Sequence, residues 1–364
     1  MKMGIELRRV FRIQGVIAAL VTLGSIGVGS QAEAQQPFNA AAYFKDKTIR
    51  LIVPSSAGGG ADVRTRIFAD IAGKRYFPGP PKLTVVNVPG AGGSIGVRRG
   101  MESKPDGLTT FRVSQRFLLK EVVGEKFDYF DSTKAIILGA DNNSQPQMWY
   151  VRRSLAKTWD EVLALGRPIT EGATGPEPTG QEMLALLGYP IRMVYGYGGA
   201  AQVRAAFARG EIEASDLLGP HMLKLYPDLV KQSAYVPILW WGADPRKDQQ
   251  SIDYLKELGA EAPPYIFDVV KITDEQRTVF DVSTAFPTAT TFFPPGVRGE
   301  IVAVWKDVMA QTYRDAEMQE RSLAAGTSVV WMPAEDIQAL LDRGRKVVES
   351  PDHRKLLMNL MGDR

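Results

Sequence analysis

Apolar and polar positions along the chain switch between a strand period and a helix period. Ile49 to Val53 is a short, β-branched, buried-type run that breaks into Pro54-Ser55-Ser56-Ala57-Gly58-Gly59-Gly60. Val63 to Ile71 then carries apolar residues at helical spacing, with Asp62 suited to the helix start. The same sequence of events follows at once. Leu83 to Val88 reads as a second strand, Pro89 to Gly93 as a glycine-rich turn, and Ile95 to Met101 as a second helix. Pro105-Asp106-Gly107 predicts a turn, since proline fixes φ and glycine accepts positive φ. Leu108 to Val113 predicts a third strand. Strands separated by helices imply parallel pairing through right-handed crossovers.

The second half repeats the theme with other residues. Residues 140–147, ADNNSQPQ, form a polar break and the expected first crossing between two lobes. Met148 to Val151 predicts a strand, Trp159 to Leu165 a helix, and TEGATGPEPTG at 170–180 a loop that opens a helix over Gln181 to Leu187. Arg192 to Tyr195 and Ile212 to Leu218 predict strands on either side of an alanine-rich helix, Ala200 to Ala208, capped by Gly210. Tyr235 to Trp241 reads as a buried strand, and Thr290 to Gly296 as a strand ending in a proline turn. Ile301 to Tyr313 and Ala334 to Val348 predict amphipathic helices. The recurrence of strand, glycine turn and helix implies two α/β lobes of similar architecture.

Composition narrows the chemistry. At 364 residues the chain can hold two cores. A formal net charge of +3 and no run of basic residues interleaved with aromatics exclude a nucleic-acid partner. Lys2, Arg8, Arg9 and Arg12 precede an apolar stretch from Val16 to Val28, and Ala32-Glu33-Ala34 matches a small-x-small cleavage pattern. Residues 1–34 are therefore expected to be a signal peptide, cut before Gln35, and the mature chain to be exported. There is no cysteine, which rules out disulfides, thiol nucleophiles and thiolate metal sites. The two histidines, His221 and His353, sit in no metal or acid–base motif, and Glu211 and Glu213 read as exposed strand residues. No enzyme activity and no cofactor are expected. Nucleotide binding fails on two counts. Ser55 to Asp62 lacks the phosphate-loop lysine, and the last glycine of Gly90 to Gly96 falls one residue late for a dinucleotide fingerprint. What remains is that each glycine loop aims the N–H groups of a helix start at one place, where an anion can sit. Asp62 is read as the carboxylate that orients the first loop.

Taken together, these motifs resemble the extracytoplasmic solute receptors of tripartite tricarboxylate transporters, the Bug family. A Gly-Gly-x-x-Asp turn matches Gly58-Gly59-Gly60-Ala61-Asp62. Asn-x-Pro-Gly-Ala-Gly-Gly-x-x-Gly matches Asn87 through Gly96 at every fixed position. Pro105-Asp106-Gly107 and Tyr197-Gly198-Gly199 match further family turns, Gly210-Glu211-Ile212-Glu213 matches a family strand start, and Pro294-Pro295-Gly296-Val297-Arg298 keeps the first part of a Pro-x-Gly-x-Pro turn but lacks its last proline. The likeness covers nearly all of the mature chain and is looser from 150 to 290.

The resemblance implies a two-lobed, type II periplasmic-binding-protein-like α/β fold. Each lobe would be a central, mostly parallel sheet flanked by helices, with the ligand in the cleft. The first lobe would take residues 40–143 and 282–364, and the second 144–281. It implies a periplasmic monomer that captures a small organic acid by hinge closure and hands it to the membrane permease subunits of a tripartite transporter. One ligand carboxylate would meet Ser55, Ser56, Gly58, Gly59, Gly60 and Asp62 together with Ala91, Gly92, Gly93 and Ser94. Gln115 and Arg116 could reach the ligand from beyond the third strand. Thr174, Gly175, Thr179 and Tyr197 would contribute from the opposite lobe. Glu177 is acidic where the family has a small polar residue, which argues against a fully anionic far end of the ligand. A ligand sensor for a two-component kinase, or an exported enzyme on the same scaffold, are the alternatives. Trp149, Tyr197 and Trp240 could line an aromatic ligand but read more simply as packing.

Overall fold

Thr48–Val53 forms the first strand, β1, because its β-branched and leucine residues can be covered on both faces. It follows a short helix, α1 (Ala40–Phe44), whose Phe44 is fully buried. The computed structural model describes residues 37–142, 147–173, 175–176, 179–197, 200–216, 234–242, 249–257, 261–325 and 329–362. In sequence order β1 is followed by α2 (Gly60–Arg75), β2 (Lys82–Asn87), α3 (Ser94–Met101), β3 (Thr109–Ser114), α4 (Gln115–Val122) and β4 (Ile136–Asn142). A second group comprises β5 (Gln147–Arg152), α5 (Trp159–Ala164), β6 (Ile169–Gly172), α6 (Gly180–Leu186), β7 (Ile191–Val194), α7 (Ala200–Arg209), β8 (Ala214–Ser215), β9 (Tyr235–Trp241), α8 (Gln249–Glu257) and α9 (Ile266–Val269). The chain ends with α10 (Asp274–Ala285), β10 (Ala289–Phe293), α11 (Gly299–Arg314), α12 (Ala316–Ala324), β11 (Val330–Pro333), α13 (Ala334–Val347) and α14 (Pro351–Leu360).

The strands make two sheets, ordered β11-β4-β10-β3-β1-β2 and β7-β6-β8-β5-β9. The two α/β lobes expected from the sequence are therefore present. Parallel pairing is confined to one trio in each sheet, β2-β1-β3 and β7-β6-β8. These are the strands joined by a glycine turn and a helix. β10 and β11 in the first sheet, and β5 and β9 in the second, pair antiparallel with their neighbours, so each sheet is mixed. The chain leaves the first sheet after Asn142, enters the second at Gln147, and is back in the first by Ala289.

One apolar cluster runs through both sheets. It includes Phe111 and Phe292 of the first, Trp149 and Trp241 of the second, and Phe280, Leu357 and Leu360 of α10 and α14. α14 packs on α10 and also on α6, so the C-terminal helix ties the two sheets together. In the first lobe α3 sits low on β3. A Cβ on Gly100 would lie 2.2 Å from Cγ of Phe111, so only glycine lets this helix sit so low.

The strand expected over Ile212 to Leu218 is reduced to Ala214–Ser215 within the described residues. The Glu213 carboxylate accepts the backbone N–H of Thr170 at 3.0 Å, the donor that a continuing ladder would have used. Glu213 also pairs with Arg167 at 2.8 Å, and Glu211 with Arg209 at 2.5 Å. Leu217 and Leu218, like His221, fall outside the described residues.

Candidate functional site

β1 and β2 end side by side, with Val53 opposite Asn87. Each then turns through glycine into a helix. Their register brings the two glycine loops together at Pro54, whose carbonyl would lie 3.3 Å from a Cβ on Gly93. The second loop holds four consecutive residues at positive φ, namely Gly90 (120°), Ala91 (46°), Gly92 (64°) and Gly93 (99°). Such a run curls successive N–H groups toward one side, the geometry of an anion-binding concavity. Space lies open above Gly58 and Gly92, where an added Cβ would meet nothing within 4 Å.

Asp62, in the first turn of α2, joins the loops. Its buried carboxylate accepts from the N–H of Gly58 at 2.8 Å, from Nδ2 of Asn87 at 2.9 Å and from Nε of Arg66 at 3.0 Å. The Asn87 amide also donates to the carbonyl of Ser55 at 3.1 Å, and Arg66 donates to Oδ1 of Asn87 at 2.9 Å. Burial pushes the Asp62 carboxyl up, but the Arg66 guanidinium, the Gly58 N–H and the Asn87 amide outweigh it. The group is held below the usual carboxylate range and stays ionised.

This wiring decides which main-chain donors remain. The N–H of Gly58 is spent on Asp62. Those of Gly93 and Ser94 close turns on the carbonyls of Gly90 and Ala91. The N–H groups of Gly59, Gly60, Ala91 and Gly92 make no hydrogen bond among the described residues. Gly59 and Gly60 stand at the start of the 16-residue α2, whose dipole adds to their pull on an anion. Ser55 contributes a buried hydroxyl that has no partner among the described residues, and Ser56 is exposed at the rim. Behind the first loop lies a buried cation pair. Arg64 donates to Asp141 at 2.6 Å, Arg112 bonds the same carboxylate, and a Cβ on Gly60 would lie 3.4 Å from Nη1 of Arg64. Burial opposes the ionised Asp141, yet Arg112 and Arg64 outweigh it and lower its pKa. Two guanidiniums on one carboxylate leave a net positive charge under the loop.

The other expected residues are placed variously. Gln115 donates from Nε2 to the carbonyl of Ser283 at 2.5 Å, which ties α4 to the end of α10. Arg116 donates from Nη1 to the carbonyl of Pro176 at 2.6 Å, a bond from the first lobe to the β6–α6 loop of the second. Gly175, in that loop, has open space around it. The Thr179 side chain caps α6 by accepting from the N–H of Glu182 at 3.4 Å. The half-buried Tyr197 ring lies against Gly172. Thr174 and Glu177 fall outside the described residues. Trp149 and Trp240 are core residues, 0% and 3% exposed.

Three features were missed in the sequence. Asn87 and Arg66 belong to the Asp62 network; Arg66 could have been read from its i,i+4 spacing to Asp62. The third is a set of acids at the ends of β6 and β8. Glu171 is fully buried, with Trp149 donating its indole N–H to Oε2. Asp216 follows β8 and receives a hydrogen bond from the Gln181 side chain. Glu182 accepts from the Tyr195 hydroxyl at 2.7 and 2.9 Å. Burial pushes the Glu171 carboxyl well above its ordinary value, and Asp216 adds to this, while the Trp149 bond opposes it. Burial likewise raises Asp216, against the Gln181 bond. Among the described residues no group of three or more His, Cys, Asp or Glu could hold a metal ion, and no helix is long and apolar enough to cross a membrane.

Solved structures of solute-binding proteins share this two-lobed α/β fold. A TctC solute-binding protein from Polaromonas aligns at TM-score 0.57 and 20% identity, covering 86% of this chain and 98% of that one. An R. palustris protein solved with adipate aligns at TM-score 0.60 and 16% identity, covering 85% and 97%. Among curated proteins, a Cupriavidus necator protein described as "UPF0065 protein in gbd 5'region" is 35% identical over 100 residues. That match spans 28% of this chain and 28% of the relative. No family model matches. The resemblance to tripartite tricarboxylate receptors read from the glycine motifs is thus met by the fold.

Proposed function

We propose that this chain is a periplasmic receptor that captures a small organic carboxylate by closing two lobes and delivers it to a tripartite-type membrane permease. The observation that carries this reading is the set of unspent N–H groups on Gly59, Gly60, Ala91 and Gly92, held in place by Asp62 and Asn87. A carboxylate there satisfies donors that are otherwise orphaned, at a helix start and above a net positive charge. The adipate-bound protein of the same fold supports the ligand class. In this reading residues 1–34 are a cleaved export signal. The first lobe takes 40–143 and 282–364, the second takes 144–281, and the mature protein is a monomer that releases its ligand unchanged.

The test is thermal unfolding of the chain from Gln35 onward against carboxylates and their amides. A ligand that binds only the folded state raises the melting temperature, by an amount that grows with concentration. Stabilisation by an acid and not by its amide is expected. A shift for neutral solutes or nucleotides with none for any acid would refute the carboxylate site.

A further inference from the structure

The second lobe presents acceptors at the edge that faces the first. The orientation follows from the Arg116 bond, which reaches the carbonyl of Pro176 in the loop leaving β6. The carboxyl ends of β6 and β8 therefore look toward the glycine loops, and ligands of open α/β sheets sit outside such ends. At this edge Glu171 is fully buried, and its Oε1 has no partner among the described residues. Gln181 is 3% exposed, points its amide at Asp216, and also leaves Oε1 without a partner. Asp216, half-buried, stands at the same edge with the Gln181 amide on its carboxylate. Asp216 and Glu182 lie close enough to Glu171 for their charge to add to the push of burial on its carboxyl.

Buried acceptors without donors are costly, and a second carboxylate placed there would add repulsion to that cost. Among the described residues the acids are not gathered as a metal-ligand set. An ammonium supplies what is missing, with several N–H donors and a positive charge. The geometry points to a zwitterionic ligand, its carboxylate on the free N–H groups of the first lobe and a terminal ammonium on Asp216, with Glu171 and Gln181 behind it. This rests on the carboxylate-receptor reading above and narrows its ligand class to ω-amino acids over diacids.

Calorimetric titration of the chain from Gln35 with matched pairs tests this. The pairs are γ-aminobutyrate with succinate, δ-aminovalerate with glutarate, and ε-aminocaproate with adipate. In each pair one carboxylate is exchanged for an aminomethyl group of similar reach. At least one amino member is expected to bind about tenfold or more tighter than its diacid, since opposed like charges cost several kcal/mol. Asp216→Asn should abolish that preference while circular dichroism shows the fold intact, and Glu171→Gln serves if the first variant does not fold. A diacid that binds as tightly as its amino partner, or a preference that survives in the folded variant, overturns the inference and leaves the receptor reading standing. No binding by any carboxylate, here or in the wider panel, overturns both.

Discussion

Asp62 spends its carboxylate on the protein's own loops. Three donors converge on it, and two of them, the Gly58 N–H and the Asn87 amide, belong to different glycine loops. Asp62→Asn keeps the volume but loses the ion pair with Arg66 and sets an amide donor against existing donors. A loss of about 2–3 kcal/mol is expected from groups left unmatched. Carboxylate affinity should fall about tenfold, because a 1.4 kcal/mol change in loop order already has that effect. The pH dependence has a definite sign. The folded pKa lies below the unfolded value of about 3.9, so the contribution is complete at neutral pH and is lost as pH falls through the folded pKa. Urea unfolding of both proteins should therefore show a gap at neutral pH that closes in acid; an equal gap at both would mean that the charge does not matter. The position of Asp62 at a helix start was legible in the sequence. Its partner Asn87 was not, because that contact depends on the pairing of β1 with β2. Glu171 was hidden for a different reason: an acid in a strand reads as solvent-facing, and only the packing of Trp149 beside it reverses this.

At the scale of elements, helices with a clean apolar stripe were readable to within a residue or two. The runs Ile301 to Tyr313 and Ala334 to Val348 correspond to α11 and α13. The parallel trio β2-β1-β3 followed from strand–helix alternation, since such crossovers force parallel pairing. The antiparallel pairing was invisible, because β10 and β11 return from distant segments and no local pattern states their direction. Gly100 shows how strictly an element can be seated. Gly100→Ala would put a methyl inside the ring of Phe111, which is itself fully buried and stacked 5.9 Å from Phe292. α3 would have to lift, and the second glycine loop is attached to its start. Overpacking of this kind costs about 1–3 kcal/mol. The melting temperature is expected to fall, with carboxylate affinity falling too. A variant that melts like the parent would mean that α3 has room to move.

For the molecule as a whole, the issue is what holds the lobes relative to one another. On one side α14 packs on both α10 and α6, and the apolar cluster is continuous there. That side is fit to act as a hinge, because separating it would expose buried apolar surface. Between the lobes, Arg116 bonds a main-chain carbonyl of Pro176, whose ring lies against Gly362 just past α14. A bond of that kind breaks without exposing a core, so it suits a contact made on closure. Arg116→Ala should leave unfolding of the empty protein nearly unchanged. It should weaken ligand binding about tenfold, as expected where closure makes a charged hydrogen bond. Calorimetry and a melting curve on the same preparation separate the two effects. If stability drops and affinity does not, the bond belongs to the resting fold and closure must be sought elsewhere. If affinity drops alone, the cost of opening is set at the cleft, and a hinge-side variant such as Leu357→Ala should do the reverse: melt earlier, with affinity for the same acid kept.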